Sequence, residues 1–233
     1  MGGDVRVLFI EHQDDCPPGY LGERAAQRGF EVDVVRVRDG NLPDPRGYSL
    51  VVPLGSTDAA YDDTLPHLAA ESALLAGAIE AGVPVLGICF GAQLLSRVLG
   101  GVVAPLPSGP EIGWLPVDTL ESELVAPGPW LVWHLDTMSC PPGATAIAHT
   151  TAGLQAFRYG PHLGVQFHPE APPSSVESWS RSYAATLTAL GLDPAELAAR
   201  TSALQDDARA RAHELFDRFC ARSLGHVPAE ASS

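Results

Sequence analysis

The chain has 233 residues, of which 45% are hydrophobic and 18% are charged, a composition typical of one α/β domain or, at most, two small ones. Its 28 acidic and 14 basic residues give a formal net charge of −14, which disfavours binding to the phosphate backbone of a nucleic acid. All 14 basic residues are arginine, so the sequence excludes chemistry that needs a lysine, such as a Schiff base or a P-loop.

The cysteines predict reduced thiols rather than disulfides or a zinc site, because Cys16, Cys89, Cys140 and Cys220 form no CxxC pair. The two acidic residues before Cys16 fit no standard metal spacing, and we expect a solvated loop there. The apolar stretches at the start of the chain and near residues 83–95 are too short for a signal peptide or a membrane span. We therefore expect a cytoplasmic protein with no metal, no cofactor and no membrane association.

Short apolar runs alternate with helical stretches through the first hundred residues. The predicted strands are residues 5–10, 31–37, 50–54 and 85–88, and the predicted helices are residues 20–29, 65–81 and 92–99. Strands that alternate with helices in this way favour a mostly parallel central sheet with helices on both faces. The fold class predicted is therefore a three-layer α/β sandwich.

The composition changes after Gly100 and Gly101, where proline and glycine become frequent. Residues 102–170 contain short β-like runs, which predict hairpins added to the same sheet rather than a second domain. These runs are residues 113–117, 130–134, 146–149, 154–159 and 163–167.

The C-terminal part is predicted to be helical, with one helix at residues 176–190 and another that begins near residues 193–195. Apolar side chains fall roughly on one face of this last helix. We expect residues 1–190 to form the main domain and residues 191–233 to form a helical extension packed on it. The tail at residues 225–233 is expected to be frayed.

One cysteine lies between two glycines, in the sequence Gly87-Ile88-Cys89-Phe90-Gly91, where a predicted strand runs into a helix. This GxCxG pattern is the thiol counterpart of the nucleophile elbow, whose tight turn strains the central residue. The sulfur would lie at a helix N-terminus, which favours the thiolate, and the amide of Phe90 would face a developing oxyanion. An isolated cysteine is more often a small buried hydrophobe, but the flanking glycines favour a nucleophile.

A thiol nucleophile needs a base, and the base needs an orienting partner. His168 and Glu170 follow a predicted strand, two residues apart with Pro169 between them, so both can leave the strand on one side. Glu170 would hold one ring nitrogen of His168 while the other nitrogen faces Cys89. The chain order of nucleophile, histidine and acid differs from the order in α/β-hydrolases. The alternative is a histidine at a strand end with a solvated glutamate.

The segments GICFGAQ and QFHPE together resemble the two signatures of the triad-type class I glutamine amidotransferases. The loop at residues 53–56 resembles the family's glycine loop after the third strand. The stretches at 111–114 and 133–136 resemble those of stand-alone members related to the glutaminase domain of GMP synthetase. The similarity extends over roughly residues 5–190. It implies the flavodoxin-like fold of that family.

The resemblance also implies roles for residues. Cys89 would attack the side-chain amide of glutamine and form a γ-glutamyl thioester, His168 would transfer protons, and Glu170 would orient His168. The N–H groups of Gly55 and Phe90 would form the oxyanion hole. The residues implied to hold the substrate are Gln93, Trp133, Leu135 and Asp136.

The chain departs from the family pattern at two places. Leu54-Gly55-Ser56 stands where Gly-Gly-Pro is usual, and Leu135 stands where a glycine is usual. The first change keeps the glycine whose amide is the implied oxyanion donor. The second alters the segment implied to hold the α-carbon end of the substrate.

Three functions are compatible with these residues. One is a glutaminase that delivers ammonia to a separate synthetase chain, because the chain carries no ATP-binding motif of its own. Another is a self-sufficient γ-glutamyl peptidase or hydrolase that uses the same thioester. The third is a binding or regulatory protein that kept the fold and lost turnover.

Other polar and aromatic residues have two interpretations. Trp114, Trp130 and Trp133 line an acceptor pocket in one interpretation and pack in the core in the other, which is the more common role. His134 and Asp136 assist the chemistry in one interpretation and form structural hydrogen bonds in the other, and Glu111 is a candidate polar residue of the pocket.

Overall fold

A computed structural model describes residues 5–225. The strands are β1 (Arg6–Glu11), β2 (Glu31–Arg36), β3 (Leu50–Pro53), β4 (Leu86–Ile88), β5 (Val103–Pro105), β6 (Glu111–Leu115), β7 (Asp118–Thr119), β8 (Trp130–His134), β9 (Asp136–Met138), β10 (Thr145–His149), β11 (Leu154–Tyr159) and β12 (His162–Val165). The helices are α1 (Gly19–Gln27), α2 (Leu68–Ala81), α3 (Phe90–Val98), α4 (Pro173–Ser182), α5 (Ala184–Ala189) and α6 (Pro194–Ser223), with short 3-10 turns at Val37–Asp39 and Pro45–Gly47.

Eight strands form the central sheet in two adjoining parts. The first part has the order β2-β1-β3 with all strands parallel, and the second has the order β4-β12-β11-β10-β7. A parallel bridge between Val51 and Val85 joins the two parts. β4 and β12 are parallel neighbours, whereas β11, β10 and β7 continue the sheet in antiparallel pairings. The parallel strands therefore lie in the half of the sheet that includes β4 and β12, the strands that lead into the GxCxG and QFHPE segments.

Helices cover both faces of this sheet, as the side chains of β1 illustrate. Val7 and Phe9 point into a core that includes residues of α1 and α6, whereas Leu8 and Ile10 point into a core that includes residues of α2 and α3. Successive side chains of a strand face opposite sides, so an entirely apolar strand needs cover on both. The predicted three-layer α/β sandwich is confirmed.

A third apolar cluster lies outside the two sheet faces and includes Trp114, Trp133 and Trp179. It joins the β6–β8 hairpin to α4 and α6, and the indole N–H of Trp114 donates to Thr201 Oγ1 over 2.9 Å. This packing positions the C-terminal end of β8 near the carboxyl ends of the parallel strands β4 and β12.

The expectation that residues 102–170 only add hairpins to the central sheet is partly wrong. β7, β10, β11 and β12 join that sheet, but β5 with β9 and β6 with β8 form separate two-stranded ladders. β5, β7 and β9 have two or three residues each, which is too short for an alternating pattern to appear in the sequence.

The predicted helix over residues 176–190 begins earlier and is divided into α4 and α5 at Tyr183, whose backbone leaves the helical region at φ −105° and ψ 23°. The last helix begins as predicted, because the Asp193 side chain accepts a hydrogen bond from the Ala195 amide. α6 contacts α1 and α4 and contributes Phe216 and Phe219 to the core.

The domain boundary at residue 190 stays a prediction, and most of the predicted frayed tail, residues 226–233, lies outside the described residues. Across residues 5–225 no helix is both long enough and apolar enough to cross a membrane.

Candidate active site

Cys89 lies in the tight turn between β4 and α3. Its backbone has φ 50° and ψ −107°, a left-handed conformation that no other non-glycine residue adopts within residues 5–225. Such strain persists only where the surroundings enforce it. Here the Cys89 amide donates to the Val165 carbonyl of β12 over 2.8 Å, and the side chain is 6% exposed at the N-terminus of α3.

The glycines on either side of Cys89 are required by close backbone contacts. A Cβ on Gly87 would lie 2.6 Å from the carbonyl oxygen of Gly91, and a Cβ on Gly91 would overlap the carbonyl of Pro53. The turn therefore has the geometry expected of a nucleophile elbow.

His168 and Glu170 follow β12, the strand next to β4. Val165 pairs with Ile88, so the segment after β12 leaves the sheet beside Cys89. His168 Nδ1 and Glu170 Oε1 are 2.8 Å apart, and both side chains are buried. His168 Nε2 and Cys89 Sγ lie 3.3 and 3.8 Å from the same carbonyl oxygen of Trp133. The structure thus brings the three predicted side chains together.

The surroundings of His168 favour its charged form. Burial lowers the pKa of its imidazole, but the Glu170 carboxylate and a thiolate at Cys89 outweigh burial and hold this pKa well above its usual value. A raised pKa of the imidazole suits a base that holds the proton of a neighbouring thiol.

Gly55 and Phe90, the predicted oxyanion-hole residues, lie on two separate segments, one beside the His168 ring and the other directly after Cys89 in the chain. Phe90 is the first residue of α3, where amides have no partner within the helix. A Cβ on Gly55 would lie 3.0 Å from Cε1 of His168, so the backbone here approaches the imidazole closely. The Gly91 amide donates to the Leu54 carbonyl over 3.1 Å and ties this loop to the elbow.

A cavity of about 220 Å³ opens over Cys89 and His168. All four residues predicted to hold the substrate line it: Gln93, Trp133, Leu135 and Asp136. The amide of Gln93 donates to the Asp136 carbonyl over 3.3 Å and to Gln166 Oε1 over 3.1 Å. A small cavity lined by both polar and aromatic side chains suits a compact ligand.

Comparison with known proteins identifies the family. A family model described as "Glutamine amidotransferase class-I" matches residues 21–178, more than half of the chain. The chain belongs to this family. A glutamine amidotransferase of Thermotoga maritima shares the fold with a TM-score of 0.84 and 29% identity, over 93% of this chain and 98% of that one. A glutamine amido transferase of Methylobacillus flagellatus gives a TM-score of 0.85 and 26% identity, over 98% and 100%.

Curated relatives of this amidotransferase family member match over part of their length. A glutamine-hydrolysing GMP synthase of Aeropyrum pernix is 35% identical in an alignment of length 147 that covers 53% of this chain and 28% of that protein. Gamma-glutamyl peptidase 5 of Arabidopsis thaliana is 32% identical in an alignment of length 161 that covers 61% of this chain and 62% of that protein. The chain therefore spans about a quarter of the synthase and less than two thirds of the peptidase.

A buried hydrogen-bond network supports the cavity wall of this amidotransferase family member. His134 Nδ1 donates to the Asp136 carbonyl over 2.8 Å, and His134 Nε2 lies 3.0 Å from Glu111, which also accepts from Thr150 and Gln155. Burial raises the pKa of Glu111, but these hydrogen bonds outweigh it and lower the pKa overall. The structural interpretation of His134 is therefore favoured, and Glu111, the candidate pocket residue, supports the wall without lining the cavity.

The three tryptophans divide between core and cavity. Trp130 stacks on Phe167 with ring centroids 4.5 Å apart, and Trp114 is 3% exposed in the third apolar cluster. Only Trp133 of the three lines the cavity, with its ring edge-to-face against Trp179 and Tyr183.

Sequence analysis does not predict several residues that line the site. The ring centroids of Trp179 and His168 are 4.7 Å apart, and the Tyr61 hydroxyl donates to Asp136 Oδ1 over 3.3 Å. The expected solvated loop at residues 14–16 is wrong for Cys16, which is 4% exposed and lines the cavity. No local pattern marks these positions, since tertiary packing alone brings them to the thiol.

Gln166 was missed as well, although it lies inside the QFHPE signature, and its amide nitrogen is 3.5 Å from Cys89 Sγ. Its place in that signature was the signal available in the sequence. Within residues 5–225, no group of three or more His, Cys, Asp or Glu side chains is arranged to hold a metal ion.

Proposed function

We propose that this protein hydrolyses the side-chain amide of glutamine through a γ-glutamyl thioester on Cys89 and releases ammonia for an acceptor. One observation carries the proposal: a strained cysteine at a helix N-terminus lies beside a buried His168, whose other ring nitrogen is 2.8 Å from Glu170. A nucleophile, a base and an orienting carboxylate in this order are the requirements of nucleophilic acyl transfer.

In the proposed mechanism, the Cys89 thiolate attacks the amide carbon while His168 holds the proton that the thiol has lost. A C–S bond forms, and the negative oxygen accepts hydrogen bonds from the Gly55 and Phe90 amides. As the C–N bond breaks, His168 protonates the leaving ammonia and the thioester remains. His168 then takes a proton from water, which attacks the thioester and releases glutamate and the free thiol.

The polar side chains that line the cavity suit the amino acid end of the substrate. Burial raises the pKa of Asp136, and a bound α-ammonium group would compensate for the lost solvation of its carboxylate. Gln93 and the backbone from Trp133 to Asp136 would hold the remaining polar atoms, with Leu135 as an apolar neighbour.

The ammonia acceptor is proposed to be a separate synthetase chain. The relative named GMP synthase is 35% identical to this chain, yet the matched part is 28% of its length. We propose that a separate chain supplies the acceptor activity that corresponds to the unmatched part of this relative.

A γ-glutamyl peptidase activity is the second candidate. The relative named Gamma-glutamyl peptidase 5 matches over 62% of its length, a larger share than the synthase. The aromatic cavity wall of Trp133, Trp179 and Tyr183 would provide apolar contacts for a leaving group larger than ammonia. The thioester chemistry is the same for both substrates.

Labelling with 6-diazo-5-oxo-norleucine, an electrophile that mimics glutamine, tests the shared chemistry. Intact mass and peptide mapping should find a single adduct at Cys89, none in Cys89→Ala, and a normal adduct in Cys140→Ala, whose half-buried thiol lies outside the cavity. An unlabelled wild-type chain, both alone and with candidate synthetase partners, would contradict the proposal and favour a non-catalytic role.

Product analysis then separates the two substrates. Ammonia released from glutamine, alone or with a partner chain, supports the amidotransferase. Release of the free amino acid from a panel of γ-glutamyl dipeptides by the chain alone supports the peptidase.

A further inference from the structure

A second histidine–carboxylate pair lies behind the loop that carries Gly55. His12 follows β1, Glu71 belongs to α2, and both side chains are completely inaccessible to solvent. His12 Nε2 lies 3.0 Å from each carboxylate oxygen of Glu71, and His12 Nδ1 lies 3.2 Å from the carbonyl oxygen of Gly55. The proposed mechanism uses neither residue.

The hydrogen-bond partners determine where the protons must be. The Gly55 carbonyl can only accept, so Nδ1 of His12 must carry a hydrogen. Nε2 faces a carboxyl group, so one further proton is shared between Nε2 and Glu71. The pair is therefore neutral overall, either as imidazolium and carboxylate or as imidazole and carboxylic acid, and this neutrality is compatible with complete burial.

The contact with Gly55 matters because glycine has unusual backbone freedom. The two peptide groups that flank Gly55 are each held by one hydrogen bond. The Leu54 carbonyl accepts from the Gly91 amide over 3.1 Å, and the Gly55 carbonyl accepts from His12. In a planar trans peptide the N–H points opposite to the C=O, so the Leu54 contact sets the direction of the Gly55 N–H while the His12 contact restrains the following peptide.

His12 also contacts the segment that carries the second proposed oxyanion donor. Its ring meets the Phe90 ring edge-to-face, with centroids 4.7 Å apart. One buried side chain thus contacts both Gly55 and Phe90, although the three residues come from three separate segments of the chain.

We propose that His12, held by Glu71, is a positioning residue: by holding the Gly55 carbonyl it restrains backbone rotation at Gly55 and so keeps the loop that carries the Gly55 N–H in place for the oxyanion. This inference rests on the proposed function, because it assigns a purpose to the Gly55 amide in that mechanism. His12 is not among the residues that line the cavity, so we expect its effect to be on stabilisation of the transition state rather than on substrate binding or thiol reactivity.

Two amide substitutions separate the two hydrogen bonds of His12. The amide nitrogen of His12→Asn takes the place of Nδ1 and can donate to Gly55, whereas that of His12→Gln takes the place of Nε2 and reaches Glu71 only. His162→Gln is the matched control, because His162 is also buried but starts β12, at the end of the strand away from the site.

The measurements are kcat and KM with the substrate identified above, and the rate at which iodoacetamide alkylates Cys89, a reaction that needs no oxyanion hole. We expect kcat to fall about 10- to 100-fold in His12→Gln, with KM and the alkylation rate within about threefold of wild type. His12→Asn should retain at least about tenfold more kcat than His12→Gln, and His162→Gln should keep a kcat within about threefold of wild type.

Equal kcat values in folded His12→Asn and His12→Gln would overturn the inference. So would a loss of kcat in His162→Gln as large as that in His12→Gln, or an alkylation rate of His12→Gln that falls as much as its kcat. If His12→Gln does not fold, Glu71→Gln replaces it. The neutral His12 ring can then accept from the new amide and still donate to Gly55, so a loss of kcat beyond about tenfold in a folded Glu71→Gln would also overturn it. A wild-type chain that turns over no substrate and is not labelled at Cys89 removes the proposed function itself.

Discussion

At the scale of the residue, the protonation of His168 depends on the carboxylate behind it. The imidazole is buried, and burial alone would keep it neutral. Glu170, 2.8 Å from Nδ1, reverses this preference together with Cys89. The proposed chemistry needs the thiol and imidazole to share one proton, so it should fail once His168 loses that proton at high pH.

Replacement of Glu170 should therefore move the basic limb of the pH profile. The carboxylate raises the pKa of His168, so Glu170→Gln removes that effect and should shift the basic limb of kcat/KM to lower pH. We also expect a smaller loss of kcat than in Cys89→Ala, because Glu170 orients the base and does not attack the substrate. The profile is measured between about pH 6 and pH 10. An unchanged basic limb in a folded variant would show that Glu170 does not control this proton.

The residues of the candidate site differ in how far the sequence predicted them. Cys89, His168 and Glu170 were predicted because each lies in a local motif that carries its own chemistry. His12, Trp179 and Tyr183 were not, since each reaches the site through packing between elements far apart in sequence. Local patterns report local geometry, whereas these contacts depend on the final arrangement of helices and strands.

At the scale of the element, the turn between β4 and α3 depends on the absence of side chains. Gly91 faces the Pro53 carbonyl at the end of β3, so a Cβ on residue 91 must displace either the loop at residues 53–56 or helix α3. The same turn holds the Leu54 carbonyl through the Gly91 amide. A single added methyl group would therefore disturb the nucleophile and the proposed oxyanion donor together.

Gly91→Ala should lower the free energy of unfolding by about 1–3 kcal/mol and remove most activity. Gly77→Ala is the matched control on α2, where the new Cβ would lie 3.5 Å from Pro45, an ordinary contact. That variant should gain about 0.5–1 kcal/mol, because alanine restricts the unfolded chain and favours a helix. Urea unfolding curves measure both values. A Gly91→Ala variant as stable as the wild type would contradict the steric argument.

The elements themselves were predicted to the extent that they are long enough to show a period. β11 has six residues, and its predicted bounds are the observed ones. For the strands of the parallel half, the predicted ends lie within a few residues of the observed ends. The separate β5–β9 and β6–β8 ladders were not foreseen, because strand partners are chosen by tertiary contacts that the alternation of side chains does not encode.

At the scale of the whole molecule, α6 is part of the core on one face of the sheet. Ala212, Leu215, Phe216 and Phe219 lie in the same apolar cluster as Val7 and Phe9 of β1. A helix that shares the core of the central strands should not unfold independently of them. We therefore propose that residues 191–225 and the preceding domain unfold as one cooperative unit.

Phe216→Ala tests this cooperativity, because the Phe216 side chain is completely buried. It should lower the free energy of unfolding by about 3–5 kcal/mol while the transition stays single by both circular dichroism and tryptophan fluorescence. Leu120→Ala, at a side chain that is 76% exposed, should change stability by less than about 0.5 kcal/mol. Two separate transitions in the wild type would show that α6 is an independent extension.

The hydrogen bond from the Cys89 amide to the Val165 carbonyl also makes this amide a probe of whether the site stays assembled. Because β4 and β12 lie in the centre of the sheet, this amide can exchange with deuterium only when the strand that carries the nucleophile separates from the strand that leads to His168. Its exchange rate therefore reports how often the thiol and the imidazole come apart in the native protein. We expect this separation to be as rare as global unfolding, so Cys89 and His168 should stay next to each other for as long as the protein remains folded.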